Sequence, residues 1–131
     1  MYLLDTNVCI YIINRKSENV LKKIYGLRPG DIKISAITVA ELEYGASKSA
    51  NREKNRTAAC NFLSPFEVVP FETRDAEIYG IIRAELERLG KPIGPYDMQI
   101  AAQALARDYI LVTNNTGEFK RIKKLKLENW V

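Results

Sequence analysis

Residues 2–7, YLLDTN, decide how the rest of the chain is read. Tyr2, Leu3 and Leu4 have the character of a short buried strand, and they run straight into Asp5. If the strand forms, Asp5 stands at its carboxyl end, where open α/β sheets place their ligand crevice. The competing reading is a helix cap, a task in which an aspartate contributes about 0.5–2 kcal/mol. Both readings suit a single acid, so the choice depends on what the following segments bring to the same place.

Working outward, apolar periodicity predicts strands at 2–4, 32–35 (IKIS), 68–71 (VVPF) and 109–113 (YILVT). Helical patterns fill roughly 6–14, 18–26, 38–49, 52–63, 74–89 and 96–107. The clearest helix follows Thr73, with Tyr79, Ile82, Leu86 and Leu89 on one face and Gly90 and Pro92 as stop signals. That face is expected to serve as core or dimer interface. Strands alternating with helices predict an α/β fold, a short central parallel sheet flanked by helices, because right-handed crossovers need a helix between parallel strands. With no repeat, low-complexity tract or linker, residues 1–131 are expected to form one domain.

Composition removes several classes of chemistry. There is no histidine, which excludes Ser-His and Cys-His nucleophilic systems and histidine ligation of zinc. Cys9 and Cys60 are far apart and form neither a zinc motif nor a disulfide framework. No apolar run approaches the ~18 residues of a membrane span, so a soluble cytoplasmic protein with no membrane partner is expected. What remains is carboxylate, hydroxyl, amide and amine chemistry, and clustered carboxylates select hard cations such as Mg2+ or Mn2+. The net charge is +4, and the basic stretch FKRIKKLK at 119–126 suits either a polyanion or a solvated helix end.

Three further acids fall at suggestive places. Glu41, in TVAEL, completes a Thr38-x-x-Glu41 capping box. Gly45 follows one turn later, inside a helix where glycine costs about 1 kcal/mol relative to alanine, which suggests that space is needed beside Glu41. Asp97, in GPYDMQIAA, falls in the first turn of a helix starting near Pro95, where negative charge is favoured. Its face continues with Ala101 and Ala104, which close helix packing explains equally well. Finally, LVTNNTGEF ends a strand in Thr113, Asn114, Asn115 and Thr116 before Glu118. Turn formation accounts for these residues, and so does a metal or phosphate site. Independent capping predicts scattered acids, whereas a metal site predicts convergence. Converged carboxylates repel unless protonated or neutralised by cations.

The segments LLDTN, TVAELEYG, GPYDMQIAA and LVTNNTGEF, in this order and spacing, resemble the PIN-domain ribonucleases, specifically the VapC toxins of bacterial toxin–antitoxin pairs. The resemblance covers essentially the whole chain. It implies a PIN-like fold and a metal-dependent endoribonuclease. Asp5, Glu41 and Asp97 would be metal-binding acids, Glu118 a further catalytic acid, and Thr6, Asn7, Thr113 and Asn115 a polar shell. Many members carry Asp at the position of Asn115 or of Glu118, so the final motif here departs from the family pattern. Mg2+, with Mn2+ as the alternative, would assist hydrolysis of an RNA phosphodiester. Lys48 and Arg52, in KSANREKNR at 48–56, and Lys120, Arg121 and Lys123 would hold the RNA backbone. The resemblance also implies a structured RNA loop as target, with the anticodon loop of initiator tRNA as the example, together with a homodimer and a cognate VapB antitoxin.

Two other readings compete. A haloacid-dehalogenase-type phosphatase also uses an aspartate after its first strand, but the second acid expected two residues on is replaced by Asn7, and no lysine motif follows. A non-catalytic PIN-like RNA-binding or interaction module, with acids that only cap helices, would bind RNA in a salt-sensitive way indifferent to chelator.

Overall fold

The computed structural model describes all 131 residues. Five parallel strands form one sheet: β1 (Tyr2–Leu4), β2 (Ile32–Ser35), β3 (Glu67–Val69), β4 (Ile110–Val112) and β5 (Leu127–Glu128), in the order β3-β2-β1-β4-β5. The seven α-helices are α1 (Thr6–Ile13), α2 (Glu18–Tyr25), α3 (Ala36–Lys48), α4 (Arg52–Leu63), α5 (Thr73–Arg88), α6 (Pro95–Arg107) and α7 (Thr116–Phe119).

The first strand is central. Its register aligns Leu4 with Ile34 of β2 and with Val112 of β4. The chain builds outward from β1 to β3 and then returns to the other side of β1 for β4. The strand order therefore reverses between β1 and β4, and the crevice opens beyond their carboxyl ends. Asp5 and Thr113 are the residues that follow those two strands.

Because side chains alternate along a strand, Leu3 and Leu4 enter different cores. Leu3 and Leu111 pack with Ile82 and Leu86 of α5, Ile100, Ala101 and Ala104 of α6, and Phe119. Leu4, Ile32, Ile34 and Val112 pack on the other face with Val8 and Cys9 of α1, Val20 and Ile24 of α2, and Trp130. The two small alanines of α6 are thus fully buried core residues.

The α/β architecture and most elements follow the predicted pattern, with four differences. Strand β4 covers only Ile110–Val112 of the predicted 109–113, which leaves Thr113 just beyond it. Strand β3 ends at Val69 instead of Phe71. Helix α3 begins at Ala36, because Ser35 serves as its cap with Oγ accepting from the Ile37 N–H at 2.9 Å. Thr38 is therefore inside the helix, and the Thr38-Glu41 capping box does not form. Leu89 is 53% exposed while Ile82 and Leu86 are buried: α5 ends at Arg88, and Gly90, with φ of +69°, turns the chain away. The Lys91 N–H then bonds to the Leu86 carbonyl and the Gly90 N–H to that of Glu87, a Schellman termination.

Besides a single 3-10 turn at Pro29–Asp31, two elements were not predicted. Helix α7 is one turn long, and β5 has two residues. The basic stretch at 119–126 begins at the last residue of α7 and then runs irregularly into β5, with Phe119 and Ile122 buried. Beyond it, Trp130 packs edge-on against Tyr2 at 5.1 Å between ring centroids. No helix is long and apolar enough to cross a membrane.

Candidate active site

Asp5 occupies both positions between which the sequence left a choice. It is the N-cap of α1, with Oδ1 accepting from the Val8 N–H at 2.9 Å, and it is 3% exposed at the carboxyl end of the central strand. Burial raises its carboxyl above the ordinary aspartate value. The Thr113 hydroxyl and the Val8 N–H oppose that rise, and the charge of Glu41 adds to it.

Glu41 is delivered by α3 to the same place. The Thr6 hydroxyl donates to its Oε1 at 2.8 Å. Thr6 Oγ1 also lies 3.0 Å from Thr38 Oγ1. A hydroxyl has one proton, and that of Thr6 is used on Glu41, so Thr38 is the donor of this second bond. The hydroxyls thus form a relay, Thr38 to Thr6 to Glu41, joining α1 to α3. Thr38, fully buried, belongs to the hydrogen-bond network of the candidate site, a place that the capping reading missed. Its available signal was position: it precedes Glu41 by three residues and so shares its helical face.

Asp97 arrives on the first turn of α6. Its carboxyl is pushed up to about 6, first by burial and then by the charges of Asp5, Glu41 and Glu118. Three carboxylates from other elements therefore act on Asp97, and one of them, Glu41, also acts on Asp5. None of the four acids takes part in an ion pair with Lys or Arg. Independent capping does not produce this arrangement.

Around the acids, Thr113 is fully buried and its Oγ1 accepts from the Asn115 N–H at 3.0 Å. The Asn115 amide donates to Glu118 Oε2 at 2.9 Å, which ties the two departures from the family pattern to each other. Asn7 is exposed on α1. The α3 and α6 arms are joined by Gln103, which is fully buried. It accepts from the Ser35 hydroxyl, and its amide donates to the carbonyls of Val69 at 3.2 Å and Pro70 at 3.1 Å.

Gly45 borders a cleft of about 490 Å3 between α1, α3 and α4, which also includes Glu41, Asn14 and Lys54. A Cβ at Gly45 would meet nothing within 4 Å, so the space beside Glu41 is open. The basic residues divide. Lys48 and Arg52 are near the junction of α3 and α4. Arg121 and Lys123 instead border an apolar cavity of about 250 Å3 on α5, with Ile78, Ile81 and Leu89. The Arg121 guanidinium donates to the Pro92 carbonyl at 3.1 Å. That cavity includes none of the four acids. Lys120 is exposed at the end of α7.

The donor set fits a hard divalent cation in chemistry, being all oxygen and net negative. No group of three acids is arranged close enough to ligate one ion together. Mg2+ does not require such a cage, since it usually keeps several waters and takes one or two carboxylates. The electrostatic convergence and the open coordination geometry are therefore compatible.

A family model described as the PIN domain matches residues 2–125. The chain is 44% identical over 131 residues to Ribonuclease VapC2 of Rickettsia felis, covering 99% of this chain and 98% of that protein. It is 43% identical over 129 residues to the tRNA(fMet)-specific endonuclease VapC of Shigella flexneri, covering 98% and 97% of the two chains. Among solved structures, a chain of VapBC2 from Rickettsia felis bound to a DNA fragment from its promoter superposes with a TM-score of 0.93 at 44% identity, over 99% of this chain and 98% of that one.

Proposed function

Because the chain belongs to the PIN-domain family, among the VapC ribonucleases, we propose that it is a cytoplasmic Mg2+- or Mn2+-dependent endoribonuclease toxin. Its antidote is a cognate VapB antitoxin, and its substrate is a structured RNA, with the anticodon loop of initiator tRNA as the first candidate. The working unit is a homodimer. The observation that carries the reading is the convergence of Asp5, Glu41, Asp97 and Glu118 at the switch point of the sheet without a cationic side chain to neutralise them.

Of Asp5, Asp97 and Glu41, one or two would ligate the cation directly, and the rest, with Glu118, would act through its bound waters. A cation held there would supply positive charge to acidify an attacking water and to stabilise the leaving 3′ oxygen of the phosphodiester. The protein's own groups prepare the acids. The Val8 N–H orients Asp5, Thr6 fixes one oxygen of Glu41, and Asn115 fixes one oxygen of Glu118. Locking ligand oxygens before the substrate arrives lowers the reorganisation needed in the reaction. The products carry 5′-phosphate and 3′-hydroxyl ends. VapB fits this groove chemically, since an inserted arginine would pair with the carboxylates and compete with metal. The initiator tRNA assignment draws its support from the relative in Shigella flexneri, and the antitoxin from the Rickettsia felis complex.

The test is incubation of the purified protein, free of antitoxin, with total tRNA in Mg2+ or Mn2+, followed by mapping of product ends. Discrete cuts that disappear with EDTA and in Asp5→Asn are expected. RNA binding indifferent to EDTA, without cutting, would replace the nuclease with a binding module.

A further inference from the structure

Two large aromatic side chains stand exposed on the elements that carry the acids. Tyr44 follows Glu41 by one turn of α3 and is 66% exposed, while Tyr96 immediately precedes Asp97 and is 58% exposed. They border one cleft of about 330 Å3, whose other lining residues are Ile37, Ala40 and Glu41. Apart from Glu41, the wall is aromatic or aliphatic. Lys48 holds its Nζ 4.9 Å from the Tyr44 ring centroid without lining the cleft itself, which places a positive charge at the cleft's margin. No core cluster absorbs either tyrosine.

An RNA strand approaching the four carboxylates meets a field that repels its phosphates. Contacts made close to the acids must therefore hold the strand through something other than its charge. Base stacking on aromatic rings does this, because every base has a π face and the contact is indifferent to a neighbouring carboxylate. Bases within a duplex are already stacked on one another, whereas loop bases are free to splay onto a tyrosine.

We propose that Tyr44 and Tyr96 form a stacking cleft for one unstacked nucleobase of a single-stranded RNA loop, holding the nucleotide next to the scissile phosphate, with Lys48 contacting the adjoining backbone. The proposal rests on the nuclease reading and names the part of the substrate that the site grips. Continuity with Glu41 and Asp97 puts the bound base beside the reacting group, and the Lys48 charge complements the phosphate on the outer side. The contact selects a splayed base over a paired one and, as stacking, discriminates weakly among the four bases.

The test measures binding of a fluorescent RNA hairpin in EDTA, where no cutting occurs, with each loop position replaced in turn by an abasic nucleotide. Tyr44→Ala and Tyr96→Ala are each expected to weaken binding of the intact hairpin about 10-fold, in line with the usual cost of losing one aromatic–base stack. Tyr44→Phe and Tyr96→Phe are expected to bind as wild type. One abasic position should weaken the wild-type complex by a similar factor and have little further effect in the alanine variants. Circular dichroism should show unchanged folds, since both rings are exposed. Equal binding by the alanine variants, or an abasic penalty that persists in full in them, would overturn the cleft while metal-dependent cutting by the wild type kept the nuclease standing. Conversion of a wild-type dimer to monomers by either alanine variant, seen by sedimentation, would reassign the surface to a second copy of the chain. A wild-type protein that neither binds nor cuts RNA would remove both readings.

Discussion

The two ends of α6 hold acids in opposite circumstances. At its carboxyl end, Arg107 lays its guanidinium across Asp75 of α5, with hydrogen bonds of 2.7 and 3.1 Å, and Asp75 is fully buried. Asp75 Oδ2 also accepts from the Glu72 N–H at 2.8 Å as part of a capping box. At the amino end, Asp97 faces the charges of three other carboxylates and has no ion-pair partner. One carboxylate is completed by the fold, and the other is left for something the fold does not contain. Structural acids are expected to be costly to remove from the folded state, and functional acids costly only to activity.

The largest expected break concerns the paired end. Asp75→Ala leaves Arg107 half-buried with only the more distant Glu72 carboxylate, at 3.9 Å, as counter-ion and should destabilise the protein by up to about 3–5 kcal/mol, measured by urea denaturation. A change below about 1 kcal/mol would show that solvent replaces the lost partner.

At the unpaired end, Asp5→Asn and Asp97→Asn should each lower RNA cleavage more than about 100-fold, beyond the 10–100-fold typical of an outer partner of a metal ligand. Asp97→Asn should leave stability equal or higher, because it removes a repelled charge. Loss of stability comparable to that of Asp75→Ala would erase the contrast between the two ends.

Thr38→Val tests whether the hydroxyl relay prepares Glu41. Mn2+ affinity, followed by calorimetry, should fall by about 10–100-fold, while Thr38→Ser retains it. Equal affinities in both variants would confine Thr38 to packing.

A smaller effect follows from pH. A carboxyl raised in the folded state destabilises it when ionised. For Asp97 this penalty is complete above about 6 and disappears as pH falls through that value toward the unfolded carboxylate range near ~3.9. Asp5, raised in the same direction, contributes with the same sign. Relative to Asp97→Asn, the wild type should therefore gain stability as pH is lowered from about 7 to about 5, by roughly 1 kcal/mol or less given its partial solvation. Saturating Mg2+ should flatten this trend.

The smallest is Gly45→Ala. The added methyl meets no atom within 4 Å and removes the cost of a helical glycine, so stability should rise by up to about 1 kcal/mol in chemical denaturation.

Much of this was legible in the chain. Strand and helix periodicity marked most elements, the lack of histidine pointed to oxygen chemistry, and YLLDTN placed Asp5 at a strand end. Short elements escaped, because α7 and β5 are too brief to show a period. Strand β5 exists through bonds from the Leu111 and Thr113 N–H groups to the Lys126 and Glu128 carbonyls. Charge density alone did not tell where the basic tail is carried: Arg121 and Lys123 border the α5 cavity, whose lining includes none of the four acids.

Local sequence determined which residues prefer strand, helix and cap, since those preferences depend on neighbours within a few positions. Which acids meet was decided only by the tertiary structure. The order β3-β2-β1-β4-β5 brings residues 5 and 113 to adjacent strand ends, and crossover helices deliver Glu41 and Asp97 beside them. Thr38 illustrates the same division. Its spacing to Glu41 is that of a capping box, but Ser35 had already capped the helix, and the burial of Thr38 against Thr6 turned its hydroxyl to the acid site. Pairwise electrostatics act through space over a few ångströms, and only the folded chain sets those distances.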